Sequence, residues 1–305
     1  METKLQNTSV KKIWSRKLEE YIIRSKSLFD RDAKLSERFH SAWSETFQEF
    51  VDVEGIIFFQ ELYDVAPPFP FWTEMLTVGG ETDIRTFLSV GYGCYRDVLS
   101  RIPVEKRKGN ILDFGVGCGR TMRHFFRSIN ELNCYGCDVD SKSIKYLNEK
   151  IPFINATVSH NDPPLIYDEK FFDIVYCISV FTHFNELSFQ NWMKEVSRIL
   201  KKGGLFILTL HGKNAFNIVS NDLARRKMIG IKDEEFFAQK DRFQRDGFFW
   251  VSQPVGSNDI DSEKYGICFL NEDFLRHYLP ADFEIQDYSS GSVGGWQDMV
   301  VLKKK

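Results

Sequence analysis

Residues 111–120 read ILDFGVGCGR: an apolar run ends on Asp113, and glycines follow at 115, 117 and 119. Glycine reaches backbone conformations closed to other residues. Alternate glycines after a strand therefore let the main chain approach a ligand closely where the next helix begins. A dinucleotide would call for G-x-G-x-x-G, but the third position here is Arg120, so D-x-G-x-G-x-G remains. Arg120 stands near a helix N-terminus, where the dipole disfavours a cation, and either a bound carboxylate or a partner aspartate accounts for it. His183 and His211 bear the proton chemistry, since imidazole titrates near neutral pH. Each either takes a proton from a reacting group or only hydrogen-bonds a ligand or the backbone. Cys134 and Cys137 form a C-x-x-C inside NCYGCD, but no second pair follows, so a buried strand is preferred to zinc or redox use. No ligand cluster with metal spacing appears, and no metal is expected.

The elements that must position these residues alternate. Apolar runs occur at NILDF, NCYGCD, FINATV, FFDIVYCIS and LFILTLH, separated by helical stretches TMRHFFRSIN, SKSIKYLNEK and ELSFQNWMKEVSRIL. Asn185 is the predicted N-cap of the last, and KKGG its stop. Strand–helix alternation implies right-handed βαβ units and a parallel sheet covered on both faces. DFEIQDY and QDMVVLKK, joined by SSGSVGGW, read as a terminal antiparallel hairpin. The fold class expected is α/β: a doubly wound, mostly parallel seven-stranded sheet with an antiparallel terminal hairpin. A helical and aromatic N-terminal cap covers residues 1–84, the core takes 85–212 and 281–305, and 213–280 is an insertion after the fifth strand. In the cap, Trp14, Leu18, Tyr21, Ile22 and Phe29 share one helical stripe, and PPFPFW at 67–72 breaks any helix.

D-x-G-x-G-x-G, then YGCDVD, NDPPL, FFDIVYCISVFTHF and WMKEVSRILKKGGLFILTLHG, resemble in order and spacing the motifs of class I S-adenosylmethionine-dependent methyltransferases. The phrasing is most similar to bacterial domains with an SVFTH segment, often linked to glycan or secondary-metabolite biosynthesis. The resemblance implies S-adenosylmethionine as cofactor, held by Asp113, Gly115, Gly117, Gly119, Arg120, Asp138, Val139, Asn161, Asp162 and Ile178. Asp138, nineteen positions after Gly119, ends the second strand, where a carboxylate has two acceptor oxygens for two ribose hydroxyls. Asn161 and Asp162, past the third strand, are placed to reach the adenine amino group. Asp173 begins the fourth strand, at the wrong end for ligand, and is assigned a structural role.

The sulfonium of the cofactor activates its methyl group, so the protein has mainly to align an acceptor. If that acceptor is a hydroxyl, His211 or His183 is the candidate base, while Trp296, Phe249 and Trp250 are candidate substrate residues. Segments 1–80 and 213–280 are expected to fold over the crevice as a lid, forming an apolar, aromatic acceptor pocket. The function expected is methyl transfer to a small molecule, most simply a hydroxyl of a sugar or natural product. A non-catalytic cofactor-binding subunit and N-methylation of an amine are the alternatives.

Composition bounds the rest. With 305 residues, 43% of them hydrophobic, the chain suffices for one large domain or for a core with a cap. Net charge of −3 gives no basic field for nucleic acid. No apolar run approaches the ~20 residues that span a bilayer, no secretory signal is evident, and the six cysteines show no disulfide framework. A cytoplasmic location follows as the expectation; the oligomeric state is left open.

Overall fold

In the computed structural model the described residues are 84–305, apart from 129–130, 152 and 256–258. The cap of residues 1–84, with its helical stripe and PPFPFW, lies outside them except for Ile84. The described residues fall into two compact units. One draws on 84–96, 117–128 and 142–156, the other on 97–116, 131–141 and 157–305.

Nine strands are present among these residues. Seven form one sheet: β1 (Gly109–Phe114), β2 (Leu132–Asp138), β3 (Ile154–Val158), β4 (Phe172–Cys177), β5 (Leu200–Leu210), β8 (Phe283–Val293) and β9 (Gln297–Lys304). Their order is β3-β2-β1-β4-β5-β9-β8. The pairs β1–β2, β1–β4 and β4–β5 are parallel, whereas β9 runs antiparallel to both β5 and β8. This is the expected doubly wound sheet with its terminal hairpin. The remaining strands, β6 (Phe248–Ser252) and β7 (Gly266–Leu270), make a separate antiparallel pair.

In the larger unit the core is continuous. Phe114, Val175, Cys177 and Leu208 of the strands pack with Phe189, Trp192, Met193 and Val196 of helix α3 (Glu186–Ile199). The labels α1 and α2 denote Ile84–Ser100 and Ser141–Lys150. Four of the six β4 residues in a row are buried, as suits a parallel strand covered on both faces. At the amino end, Asp173 Oδ2 accepts from the Asn110 N–H (2.9 Å) and Lys201 Nζ (2.7 Å), which is the structural role assigned to it.

Two local expectations differ in detail. The segment expected to continue as helix after the glycine turn forms a 3₁₀ helix, Met122–Ser128. KKGG does stop α3, but as the opening of β5. The β4–β5 register jumps between Phe172↔Leu200 and Ile174↔Leu205, and Gly204 sits so close that a Cβ there would meet the Asp173 carbonyl at 3.0 Å. The glycines let the chain turn back to the sheet without a separate loop.

The insertion combines helices with its own two-stranded ribbon. It contains α4 (Lys213–Asn221), α5 (Leu223–Met228), α6 (Asp233–Asp246), β6 and β7, with α7 (Glu272–Tyr278) leading back to the sheet. Its core gathers Phe216, Phe236, Phe243, Phe249 and Phe269. A two-stranded ribbon alone is marginal in water, and this one gains stability from that core. All five β7 residues are buried, unlike those of a surface hairpin.

Asn185 caps α3 as its sequence position predicts, its Oδ1 accepting from the Ser188 N–H at 2.9 Å. Replacement by Ala leaves that donor unsatisfied. Asn185→Ala is expected to lower unfolding free energy by about 1 kcal/mol, read as a shifted denaturant midpoint at constant m-value.

Candidate active site

The carboxyl ends of β1, β2 and β4 open on one cavity of about 190 Å³. At about 10–15 Å³ per water on such a measure, this is ligand-sized rather than a solvent void. Five walls line it. Phe114 and Gly115 come from the glycine turn; Asp138 and Val139 follow β2; Ser159, His160 and Asn161 follow β3. Ser179, Val180, His183 and Phe184 follow β4, with Ser188 and Trp192 from α3 behind them. The insertion supplies the rest through Ile260, Asp261, Lys264 and Tyr265.

The glycine turn explains its composition. Gly115, Gly117 and Gly119 have φ of +85°, +50° and +78°, the left-handed region that other residues avoid. A Cβ on Gly115 would also meet Val180 Cγ2 at 2.2 Å. A ligand can thus rest directly on the main chain here. In the smaller unit, Gly119 packs where a Cβ would meet Leu147 Cδ2 at 2.8 Å. Arg120 belongs to that unit too, and its buried Nε has no hydrogen-bond partner among the described residues. No aspartate partner of Arg120 stands among the described residues.

The other expected cofactor residues divide. Gly115, Asp138, Val139 and Asn161 line the cavity. Asp138 Oδ1 accepts from the Asp140 N–H at 2.9 Å, which orients the carboxylate. Asp113 is buried at 3% exposure, and its Oδ2 accepts from the Tyr176 hydroxyl at 2.7 Å, bracing β1 against β4 rather than lining the cavity. Ile178 is half-buried beside the lining, and Asp162 is exposed and paired with Lys264. Asn161 spends its amide on the insertion: Nδ2 donates to the Asp259 carbonyl (2.9 Å), and Oδ1 accepts from the Asp261 N–H (3.0 Å).

The histidines are held by one strand. His183 Nδ1 lies 2.7 Å from the Gly266 carbonyl and His211 Nδ1 3.1 Å from that of Cys268, two residues apart on β7. A carbonyl only accepts, so both rings carry their proton on Nδ1 and leave Nε2 as a bare acceptor. The main chain is joined as well: Gly266 N–H donates to His183 O (3.1 Å), Cys268 N–H to Thr182 O (2.7 Å) and Leu270 N–H to His211 O (2.9 Å). Burial pushes the His183 pKa below its ordinary value, partly offset by the Gly266 bond. Burial, with repulsion from His183 and Arg225, takes His211 down to about 3. Both are neutral at physiological pH.

Their places nevertheless differ. His183 lines the cavity, its ring stacked on Tyr265 with centroids 4.5 Å apart. His211 is outside the lining, 6% exposed, with its ring against Phe269 and Trp296. The three aromatic candidates also stand apart from the cavity. Phe249 is wholly buried in the insertion core, and the indole Nε1 of Trp250 donates to His183 O at 3.1 Å. Trp296 is covered by the Arg225 guanidinium at 4.5 Å. Aromatic character alone did not separate packing from display.

Sequence reasoning missed Ser179 and the insertion wall. Ser179 has φ of +60°, rare outside glycine, and holds it through its N–H to Thr209 Oγ1 (2.8 Å) and its Oγ to the Gln297 side chain. Nothing local in CISVF marks that conformation.

Residues 111–204 match the family described as methyltransferase domain. An uncharacterized protein of Methanocaldococcus jannaschii is 28% identical over 181 residues, 59% of this chain and 64% of that protein. The chain thus spans less than two thirds of that relative. A solved Pyrococcus horikoshii protein is similar at a TM-score of 0.49 and 20% identity, covering 72% of this chain and 95% of that one. A structure described as an S-adenosylmethionine-dependent methyltransferase from Methanosarcina mazei has a TM-score of 0.48 and 17% identity, covering 68% and 96%. Glycine turn and sheet order are those of a doubly wound, Rossmann-like fold, and within it residues 111–204 match the methyltransferase domain.

Buried neutral histidine has a stability consequence. An unfolded imidazole takes a proton near pH 6.5, whereas folded His211 resists until about 3, so stability is full above 6.5 and falls as pH drops through that window. The cost is about 1.4 kcal/mol per pH unit for one group. His211→Asn, whose amide can still donate to Cys268 O, is expected to flatten the loss between pH 6.5 and 5 by that slope in denaturant titrations.

Proposed function

We propose that the protein transfers a methyl group from S-adenosylmethionine to a hydroxyl of a small molecule, a sugar or natural product of the kind handled in glycan or secondary-metabolite pathways. The observation that carries this reading is His183: a neutral imidazole in the cavity wall, with Nδ1–H fixed on a backbone carbonyl and Nε2 left bare. Gly115 offers its main chain to the cofactor, Asp138 accepts from the ribose, and Val139 packs on the base. Bound there, the cofactor supplies a methyl group already activated by its sulfonium. The work left to the chain is to orient the acceptor and remove its proton.

His183 Nε2 takes that proton. Its depressed pKa keeps it unprotonated and ready across the neutral range. The Gly266 carbonyl then stabilises the imidazolium through Nδ1–H, and the Tyr265 ring covers one face of the imidazole from water. His211, farther back and more strongly depressed, is assigned to holding β7 rather than to proton transfer. A cytoplasmic location is supported by the six cysteines, all of them buried thiols. Among the described residues no helix is long and apolar enough to cross a membrane.

Two measurements test this reading. Asp138→Ala removes the ribose acceptor and is expected to weaken binding of S-adenosylhomocysteine by about 1.5–3 kcal/mol, some 10- to 100-fold by calorimetry. In a tritiated-methyl transfer screen against small-molecule extracts, His183→Ala should lower turnover by roughly 10²–10⁴-fold and leave that binding nearly intact. Full activity in His183→Ala would point instead to an acceptor that arrives without a proton to lose, such as a neutral amine.

A further inference from the structure

The cavity's fifth wall comes from the insertion, and its attachment is unlike that of the other four. Residues 259–265 cross the base end of the cavity and are tied down by polar contacts to residues just past β2 and β3. Asp259 Oδ2 accepts from both the Ser141 N–H (3.2 Å) and its hydroxyl (2.9 Å). Asn161 holds the Asp259 carbonyl and the Asp261 N–H with the two ends of one amide. Lys264 Nζ bridges Asp162 and Asp261, the latter at 3.3 Å. Ser141, Asp259 and Asp162 are exposed, and Lys264 is 35% exposed. Such contacts compete with water and are individually weak.

At Tyr265 the character of the segment changes. Tyr265 stacks on His183, and from Gly266 onward the chain is buried β7, bonded to Thr182, His183 and His211. The segment therefore has a firm root at Gly266 and loosely held tethers over the cavity. It is short, carries lining residues on its inner side and lies against residues beside Asp138. Those are the properties of an element that opens by breaking its tethers while the root stays put.

We propose that residues 259–265 form a clasp over the base end of the cofactor cavity, and that Ser141, Asn161, Asp162 and Lys264 are positioning residues that set how fast the cofactor enters and leaves. This rests on the reading of the cavity as a nucleoside-cofactor site. It gives Asn161 and Asp162 a different task from reading the adenine amino group, because their polar atoms already hold the clasp. Ile260 and Tyr265, on the inner side, then cover the base and its neighbouring edge.

The test uses S-adenosylhomocysteine as probe and the full chain, with association and dissociation followed by stopped-flow tryptophan fluorescence. Asp162→Asn and Ser141→Ala lie outside the cavity lining; the first takes the charge from the Lys264 pair, and the second removes the hydroxyl bond to Asp259 while the Ser141 N–H bond stays. Combined, they are expected to raise both rate constants at least tenfold while Kd changes less than threefold, because ligand passes through the opened form in both directions. Asp138→Ala gives the contrasting pattern, raising the dissociation rate with little change in association. Raising the salt from 50 to 500 mM should accelerate both steps in the wild type and have less effect in the tether variant, since the Lys264 pairs are exposed. If the wild type binds the probe but the tether variant keeps wild-type rates, the clasp is overturned and the cofactor reading stands. If the wild type does not bind the probe at all, the reading of the cavity fails and the clasp fails with it.

Discussion

The site depends on the backbone bonding of one buried strand. A parallel sheet ends in a row of loops whose N–H and C=O groups need partners, and in most of this sheet those partners are turns and helix caps. Past β4 and β5 they are supplied by β7. Three of its N–H groups bond Thr182, His183 and His211, and two of its carbonyls accept from the imidazoles of the same two histidines. Main chain that would be costly to bury unsatisfied thus becomes the jig that sets two tautomers. The insertion core of Phe216, Phe236, Phe249 and Phe269 keeps that jig in place.

The same arrangement governs the electrostatics. Removing imidazoles from water favours their neutral form, and the carbonyl bonds return only part of that effect. A histidine at the cavity and another behind it therefore differ in degree more than in kind. What separates them is access: His183 meets the cavity and stacks on Tyr265, whereas His211 is enclosed by Phe269 and Trp296. Ser179, in the cavity wall, holds its left-handed backbone through Thr209 and Gln297.

How much of this the sequence disclosed follows from how local each signal is. The glycine turn, the β2-terminal Asp138, the Asn185 cap and the structural Asp173 were legible because a few neighbouring residues determine them. The sheet and its hairpin were legible from apolar runs and their spacing. The insertion's part was not. Asn161 and Asp259, His183 and Gly266, or Ser179 and Gln297 are brought together by topology, and no short pattern in either member announces the other. Phe249, Trp250 and Trp296 were misleading for a related reason, because an aromatic residue in a loop-like stretch reads alike whether it packs inward or faces a ligand. The tyrosine that does reach the cavity, Tyr265, sits in an unremarkable DSEKYG.

The outer strand of the sheet has a bearing on how copies of the molecule meet. β8 pairs with β9 in a broken register, shifting between Ile285 and Asp287 and again between Ser289 and Val293. Its outer side, unpaired among the described residues, therefore presents backbone donors and acceptors at uneven intervals. A second copy laid alongside would find few bonds in phase. Growth of the sheet from molecule to molecule, a standing hazard of any open sheet, is discouraged on this flank by the irregular register of the strand itself.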